Sequence, residues 1–246
     1  MLGERAGRIC RRRGFEGAVR WLFVSEALRE QVRAAGLPVG GAEIVPAGVD
    51  LAAFPLAPML PWAGRLLYAG RLSPLKGVDT ALLALARLGP EITLEVAGSG
   101  EPRYERELRE LAAALGVASR VRFRGFLWRR ALASAYAAAD ALLFAVRWQE
   151  PFGLVPLEAM ARGTPVIAVA GGGAAAYLED GRTALVVPPD DPAALATAVG
   201  RLQREDRLRA TLRANGRRTA ERYPAKRSHA RIEAALVEQR ARRRGA

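Results

Sequence analysis

From Arg65 onward, short apolar runs alternate with segments of helical spacing. RLLYAG (65–70), ITLEVAG (92–98), RVRFRGF (120–126), DALLFAV (140–146), PVIAVA (165–170) and TALVVP (183–188) read as strands. Helical patterns fall at 78–88, 103–115 and 129–139, after Pro156, and after Asp191-Pro192. A near-continuous apolar run between turn residues suits a strand covered on both faces, and repeated βα units of this length predict a parallel sheet. The expected fold class is α/β: a Rossmann-like parallel sheet of about six strands, with helices on both faces, spanning residues 61–225.

Residues 1–60 do not continue that rhythm. AVRWLFVSEALREQVRAAGLP predicts one strand, a helix capped by Ser25 and a turn, followed by the short run EIVPAGVD at 43–50. Pro55, Pro58 and Pro61 then mark a linker. Residues 226–246 form a third segment, a basic helix with helical spacing through Gln239 and a tail ending ARRRGA. No internal repeat or low-complexity segment is present.

At 246 residues and 50% hydrophobic content the chain can bury one sizeable core. Its formal charge of +13 is concentrated at the ends. Residues 1–20 carry six Arg against two Glu, and residues 226–246 carry seven Lys or Arg against two Glu. A basic groove interleaved with aromatics, as single-strand nucleic-acid binding requires, is not visible in the body, so no specific nucleic acid is expected. The basic ends leave open a peripheral contact with an anionic membrane. Cys10 is the only cysteine, which excludes an internal disulfide and fits a reducing cytoplasm. No apolar run reaches the roughly 18 residues that a spanning helix needs, and the N-terminus lacks the apolar stretch of a secretion signal.

The most informative stretch is RWQEPFGLVPLEAMARGTPVIA at 147–168. It follows one strand and precedes another, so its turn belongs at the carboxyl edge of the sheet, where open α/β folds bind ligands. Pro156 suits a first helical position, which puts the helix entrance near Val155 and Glu158 in the first turn, with Glu150 in the loop ahead. Either acid alone would more plainly be a solvated loop residue or a complement to the helix dipole.

Together, EPFG and LEAMARGTPVI resemble the E-x7-E signature of GT-B retaining glycosyltransferases of family 4. The resemblance implies that Glu150 contacts hydroxyls of a donor sugar and that the backbone N–H groups of Phe152, Gly153 and Leu154 approach sugar and diphosphate. Glu158 would hold a ribose diol. These roles are chemically sound, because a carboxylate accepts two hydrogen bonds from a diol and a helix N-terminus favours phosphate. GRLSPLKG at 70–77 resembles the family's GRLxxxKG element; there Gly70 lies at the strand end, and Arg71 and Lys76 would neutralise the diphosphate as negative charge grows on the leaving group. With those cations no metal is needed, and the chain contains no Asp-x-Asp. No cofactor is implied beyond the nucleoside diphosphate sugar itself as donor substrate.

Gly98 and Gly100 fit the family's VAGSGE element and would line the donor cleft; as a dinucleotide fingerprint they fail, since Arg103 stands at the third glycine position. Phe126, after Gly125, matches the loop beside the nucleobase, although a strand-end core aromatic explains it equally. Gly171, Gly172 and Gly173 either permit close backbone approach or form a turn. The family usually has an acid where Ala176 stands and Asn where Ala47 stands. Residues 18–50 resemble the last βα unit of the family's first domain, most of which is missing from this sequence. His229, the only histidine, falls in the tail and reads as a helix-surface residue. The resemblance implies metal-independent transfer of a hexose-type sugar with retention, Glu150, Arg71 and Lys76 being catalytic. A nucleotide-sugar-binding module without turnover, or one subunit of a split enzyme completed by a separate N-terminal-domain chain, stays open as the alternative.

Overall fold

The computed structural model describes residues 20–244, with side chains through residue 241. Cys10 and most of the basic N-terminal end therefore lie outside the described residues. Six parallel strands form the main sheet: β3 (Arg65–Ala69), β4 (Thr93–Ala97), β5 (Val121–Gly125), β6 (Ala141–Phe144), β7 (Val166–Ala168) and β8 (Leu185–Val186), in the order β5-β4-β3-β6-β7-β8. The chain winds outward from β3 in one direction and from β6 in the other, so the loops after these two neighbours diverge and leave a crevice at their carboxyl ends. The apolar runs are continuous because this sheet is covered on both faces: Leu66, Leu67, Tyr68 and Ala69 of β3 and all four residues of β6 are buried.

The helices that cover the sheet are α2 (Val78–Leu85), α3 (Pro102–Ala114), α4 (Arg129–Ala138), α5 (Leu154–Arg162), α6 (Pro192–Arg204) and α7 (Asp206–Glu221). Asp191 caps α6, its carboxylate accepting from the Ala194 N–H at 2.8 Å. Helix α7 was not anticipated; the chain breaks at Glu205, and Gly216 then lets α7 approach Met160 of α5.

One expectation fails in detail. Helix α5 begins at Leu154, entered from Gly153 at φ 83°, so Pro156 is its third residue and Glu158 lies in the second turn. Glycine's freedom in the left-handed region lets the helix start before the proline.

The segment before the sheet forms β1 (Leu22–Phe23), α1 (Glu26–Ala34) and β2 (Glu43–Ile44), with β1 and β2 paired in parallel. It packs with the C-terminal helix α8 (Ala225–Arg244) rather than standing apart from it. Arg20 bridges Glu43 at 2.9 Å and also pairs with Glu238, and Arg231 donates to Glu43. Where the two segments cross, the Val49 N–H donates to Tyr223 O at 2.8 Å and the Ala225 N–H to Val49 O at 3.0 Å. A Cβ on Gly48 would run into the Pro224–Ala225 peptide. Residues 20–50 and 225–244 thus make one unit beside the six-stranded sheet.

Gly77 separates the Pro74–Lys76 turn from α2 at φ 67°, and a Cβ there would collide with the Ala145 carbonyl oxygen at the end of β6. Positive φ and a backbone clash combine, so Gly77→Ala is expected to cost about 2 to 4 kcal/mol, measured by urea unfolding. Wild-type stability of that variant would show that the turn and the strand end are not packed this closely.

Candidate functional site

The loops after β3 and β6 meet at the crevice. Gly70 leaves β3 at φ 142°, its N–H held by Ala97 O at 2.9 Å, and the chain returns through the Pro74–Lys76 turn. The loop after β6 runs from Arg147 to Gly153. Arg147 ties the two together: its backbone N–H donates to Leu75 O at 2.9 Å, and its guanidinium reaches Pro74 O, Asp79 in a two-bond fork at 2.7 and 2.9 Å, and Asp190. Its hydrogen bonds to Asp79, the largest influence, strengthen its already firm hold on the proton.

This clamp brings Lys76 to Glu150. Lys76 Nζ lies 2.6 Å from Glu150 Oε2, and the Trp148 indole N–H donates to the same oxygen at 3.0 Å. The ammonium also sits over the Trp148 ring, 4.8 Å from its centroid. Only 13% of the Glu150 side chain is exposed, so the carboxylate is a held, largely desolvated group. Arg71, by contrast, is exposed and ion-paired with no described residue.

The glycine triplet explains why the loop keeps its shape. A Cβ on Gly172 would strike Glu150 O and one on Gly173 would strike Pro151 O, while the Gly173 N–H donates to Glu150 O at 2.7 Å and the Gly172 N–H to the Gln149 side chain at 2.8 Å. Close backbone approach is therefore made to the 149–151 loop itself. From the other side, Ser25 Oγ, which caps α1, donates to Pro151 O at 2.6 Å. Phe152 is buried between Tyr177 and Tyr223, and Tyr177 donates to the carbonyls of Phe152 and Gly153. Gly153 and Leu154 form the N-terminal end of α5, whose first N–H groups have no partner within the helix.

Two adjoining clefts open from this edge. One, of about 340 Å³, is lined by Gly70, Arg71, Gly98, Ser99, Phe126 and Val155. The other, of about 750 Å³, is bounded by residues 48–54, Phe126, Trp128, Glu158, Lys226 and His229. Phe126 borders both, 67% exposed and in ring contact with Trp128, itself 69% exposed. Gly100 lines neither: it packs on Leu72, and its N–H is taken by Glu105 at 2.8 Å. Gly98 serves both purposes, facing the smaller cleft while its missing side chain lets Gly70 O pass. His229 is exposed on α8 at the rim of the larger cleft.

Glu158 is held from within. The fully buried Tyr136 donates its hydroxyl to Glu158 Oε2 at 2.9 Å. Burial pushes the Glu158 carboxyl up to about 7, opposed by that hydrogen bond. Its role is thus not to complement the dipole of a first turn. Tyr136, Trp148 and Trp128 were not legible as site residues, although Tyr136 and Trp148 flank the β6 run whose end carries Glu150.

A parallel α/β sheet with its crevice at the β3/β6 reversal defines a Rossmann-like domain, and two held carboxylates and cations stand at that strand edge. The family is equally plain: residues 64–219 match the model of the glycosyl transferases group 1, and the chain belongs to that family, its fold being the Rossmann-like domain of the GT-B architecture. It is 38% identical over 215 residues to a D-inositol 3-phosphate glycosyltransferase of Xylanimonas cellulosilytica, the match covering 80% of this chain and 51% of that protein. The chain thus spans about half the length of the curated relative. The HepE protein of Anabaena, crystallised with UDP and glucose, superposes with a TM-score of 0.87 at 25% identity, over 95% of this chain and 67% of that one. The C-terminal domain of LpcC, a group 1 glycosyl transferase of Francisella tularensis, gives a TM-score of 0.64 at 26% identity over 71% and 97%.

Because the folded Glu158 titrates near 7 and an unperturbed glutamate near 4.5, the unfolded chain loses this proton first as pH rises. The contribution of Glu158 to stability is therefore full below pH 4.5 and lost as pH climbs to 7. Glu158→Gln should remove that slope and gain on the order of 3 kcal/mol on wild type at pH 8 relative to pH 4. Urea unfolding of both proteins at the two pH values checks this; parallel pH profiles would contradict it.

Proposed function

We propose that this chain is the donor-binding part of a retaining, metal-independent glycosyltransferase of family 4, which moves a hexose-type sugar from a nucleoside diphosphate sugar to an acceptor. The observation that carries the reading is the meeting of Lys76 and Glu150 at the β3/β6 crevice, next to a cleft that holds Glu158. Glu158, with one oxygen held by Tyr136, offers the other to a ribose diol. The N-terminal end of α5 and the cations Arg71 and Lys76 take the diphosphate, and Glu150 orients the sugar.

The chemistry follows from that placement. Cleavage of the anomeric C–O bond leaves negative charge on the outer phosphate, and fixed cations stabilise it most in the transition state. The same phosphate oxygen accepts the acceptor's proton as the new bond forms on the face being vacated, which retains configuration. Among the described residues no group of three or more His, Cys, Asp or Glu could hold a metal, and the reading assigns charge neutralisation to Arg71 and Lys76. Since HepE was crystallised with UDP and glucose, UDP-sugars are the first donors to try.

A second reading rests on the share of its relatives that the chain covers, about half of the Xylanimonas protein. On it, the chain binds the donor and a separate chain carrying the first domain supplies the acceptor. Cytoplasmic placement, with or without contact to an anionic membrane, belongs to both readings; no described helix is long and apolar enough to cross a membrane.

Purified chain titrated with UDP and UDP-glucose, and assayed for slow release of glucose, tests the assignment. Glu158→Ala is expected to weaken UDP affinity by about tenfold or more, the loss of a hydrogen-bond partner that carries charge. Glu150→Ala should leave UDP affinity at or above that of wild type and cut glucose release by a similar factor. Equal UDP affinity in wild type and both variants would refute the division of roles. Binding without release, restored by an added N-terminal-domain chain, would select the second reading.

A further inference from the structure

Lys76 and Glu150, the two groups given to phosphate and sugar, are bound to each other. A donor must separate them, because its phosphate competes for the ammonium and its hydroxyls for the carboxylate. Among the described residues Glu150 Oε2 has two donors, Lys76 Nζ at 2.6 Å and the Trp148 indole N–H at 3.0 Å, and Oε1 has none. When Lys76 turns to phosphate, Trp148 alone keeps the carboxylate in place.

We infer that Trp148 is a positioning residue for the donor sugar: its indole N–H pins Glu150 Oε2 so that Oε1 faces the substrate, and its ring face carries the Lys76 ammonium. The two contacts use different parts of one side chain. The N–H lies in the ring plane and points to Glu150, whereas the ammonium approaches the face, where the ring's quadrupole is negative. The indole N–H is uncharged, so a diphosphate competes for it less than for the ammonium, and its bond to Glu150 survives the exchange that removes Lys76. The half-buried side chain is itself fixed at both neighbours: Arg147 is clamped to Asp79, and Gln149 accepts from the Gly172 N–H. The backbone that carries Trp148 is thus held on both sides. Lys76 gains a resting position 4.8 Å above the ring, from which it moves to phosphate.

This inference rests on the donor-site reading above, and the tests are chosen to tell the two apart. In the ligand-free chain the Trp148 indole N–H resonance, identified by its loss in Trp148→Phe, should shift strongly in Glu150→Ala; an unmoved resonance overturns the inference whatever the protein binds. With donor probes, Trp148→Phe keeps a ring face for Lys76 and loses only the N–H. Its UDP affinity should stay within about twofold of wild type while kcat for glucose release from UDP-glucose falls about tenfold or more, the effect of losing a hydrogen bond to a charged group. Trp148→Leu, which also loses the ring face that holds Lys76 away from phosphate, should show the same fall in kcat with UDP affinity no weaker than that of wild type. Wild-type kcat in Trp148→Phe, or an equal loss of UDP affinity in both variants, overturns the positioning role. If wild type binds neither UDP nor UDP-glucose, the donor-site reading falls and takes the role with it, while the resonance shift still reports the triad.

Discussion

The parallel pairing of β3 with β6, Leu66 opposite Ala141 and Tyr68 opposite Leu143, is the contact on which the rest depends. These strands are far apart in sequence and become neighbours because the chain winds away from them in opposite directions. Their carboxyl ends therefore cannot be bridged by a crossover, and the two loops that leave them face each other across a gap. Everything chemically significant is anchored to that gap: Lys76 one turn beyond β3, Glu150 one loop beyond β6, and Arg147 joining the two. A register slip between β3 and β6 would move every loop residue relative to its partner and place buried side chains on the wrong face.

Around that centre the molecule uses small residues where two backbones must touch and aromatic donors where a carboxylate must stay put. Gly77 and Gly98 face carbonyls at the ends of β6 and β3, Gly172 and Gly173 face carbonyls of the 149–151 loop, and a Cβ would strike each. The unit formed by residues 20–50 and α8 adds an outer brace. Ser25 reaches Pro151, and Tyr223, at the crossing with Val49, packs on Phe152. The site loop is thus held by its own domain through glycines and by the adjoining unit through a hydroxyl and an aromatic ring.

The sheet, its parallel sense and the carboxyl-edge location of the acids were legible in the sequence because a doubly covered strand cannot avoid a continuous apolar run. So was the Asp191 cap, a local signal, and the Ser25 cap. What was hidden is long-range or depends on backbone angles. Nothing local says that Gly153 enters α5 at φ 83° and moves the helix start ahead of Pro156. Tyr136 reads as one more core residue of an alanine-rich helix until the fold sets its hydroxyl 2.9 Å from Glu158, and Trp148 reads as a loop aromatic until Lys76 arrives from a turn more than seventy positions earlier. The glycine triplet was visible, but that Gly172 and Gly173 make room for the 149–151 backbone was not.

The two acids share one structural device and differ in one neighbour. Each has one oxygen occupied from inside by an aromatic donor, Trp148 for Glu150 and Tyr136 for Glu158, and the other without a described partner. Glu150 has in addition the Lys76 Nζ at 2.6 Å. Glu158 has no such cation, and burial brings its ionisation to about 7. A carboxyl balanced near neutrality suits a diol, which can both donate to the charged form and accept from the protonated one. The difference between the acids thus follows from one lysine, and that lysine is in place because β3 and β6 are neighbours.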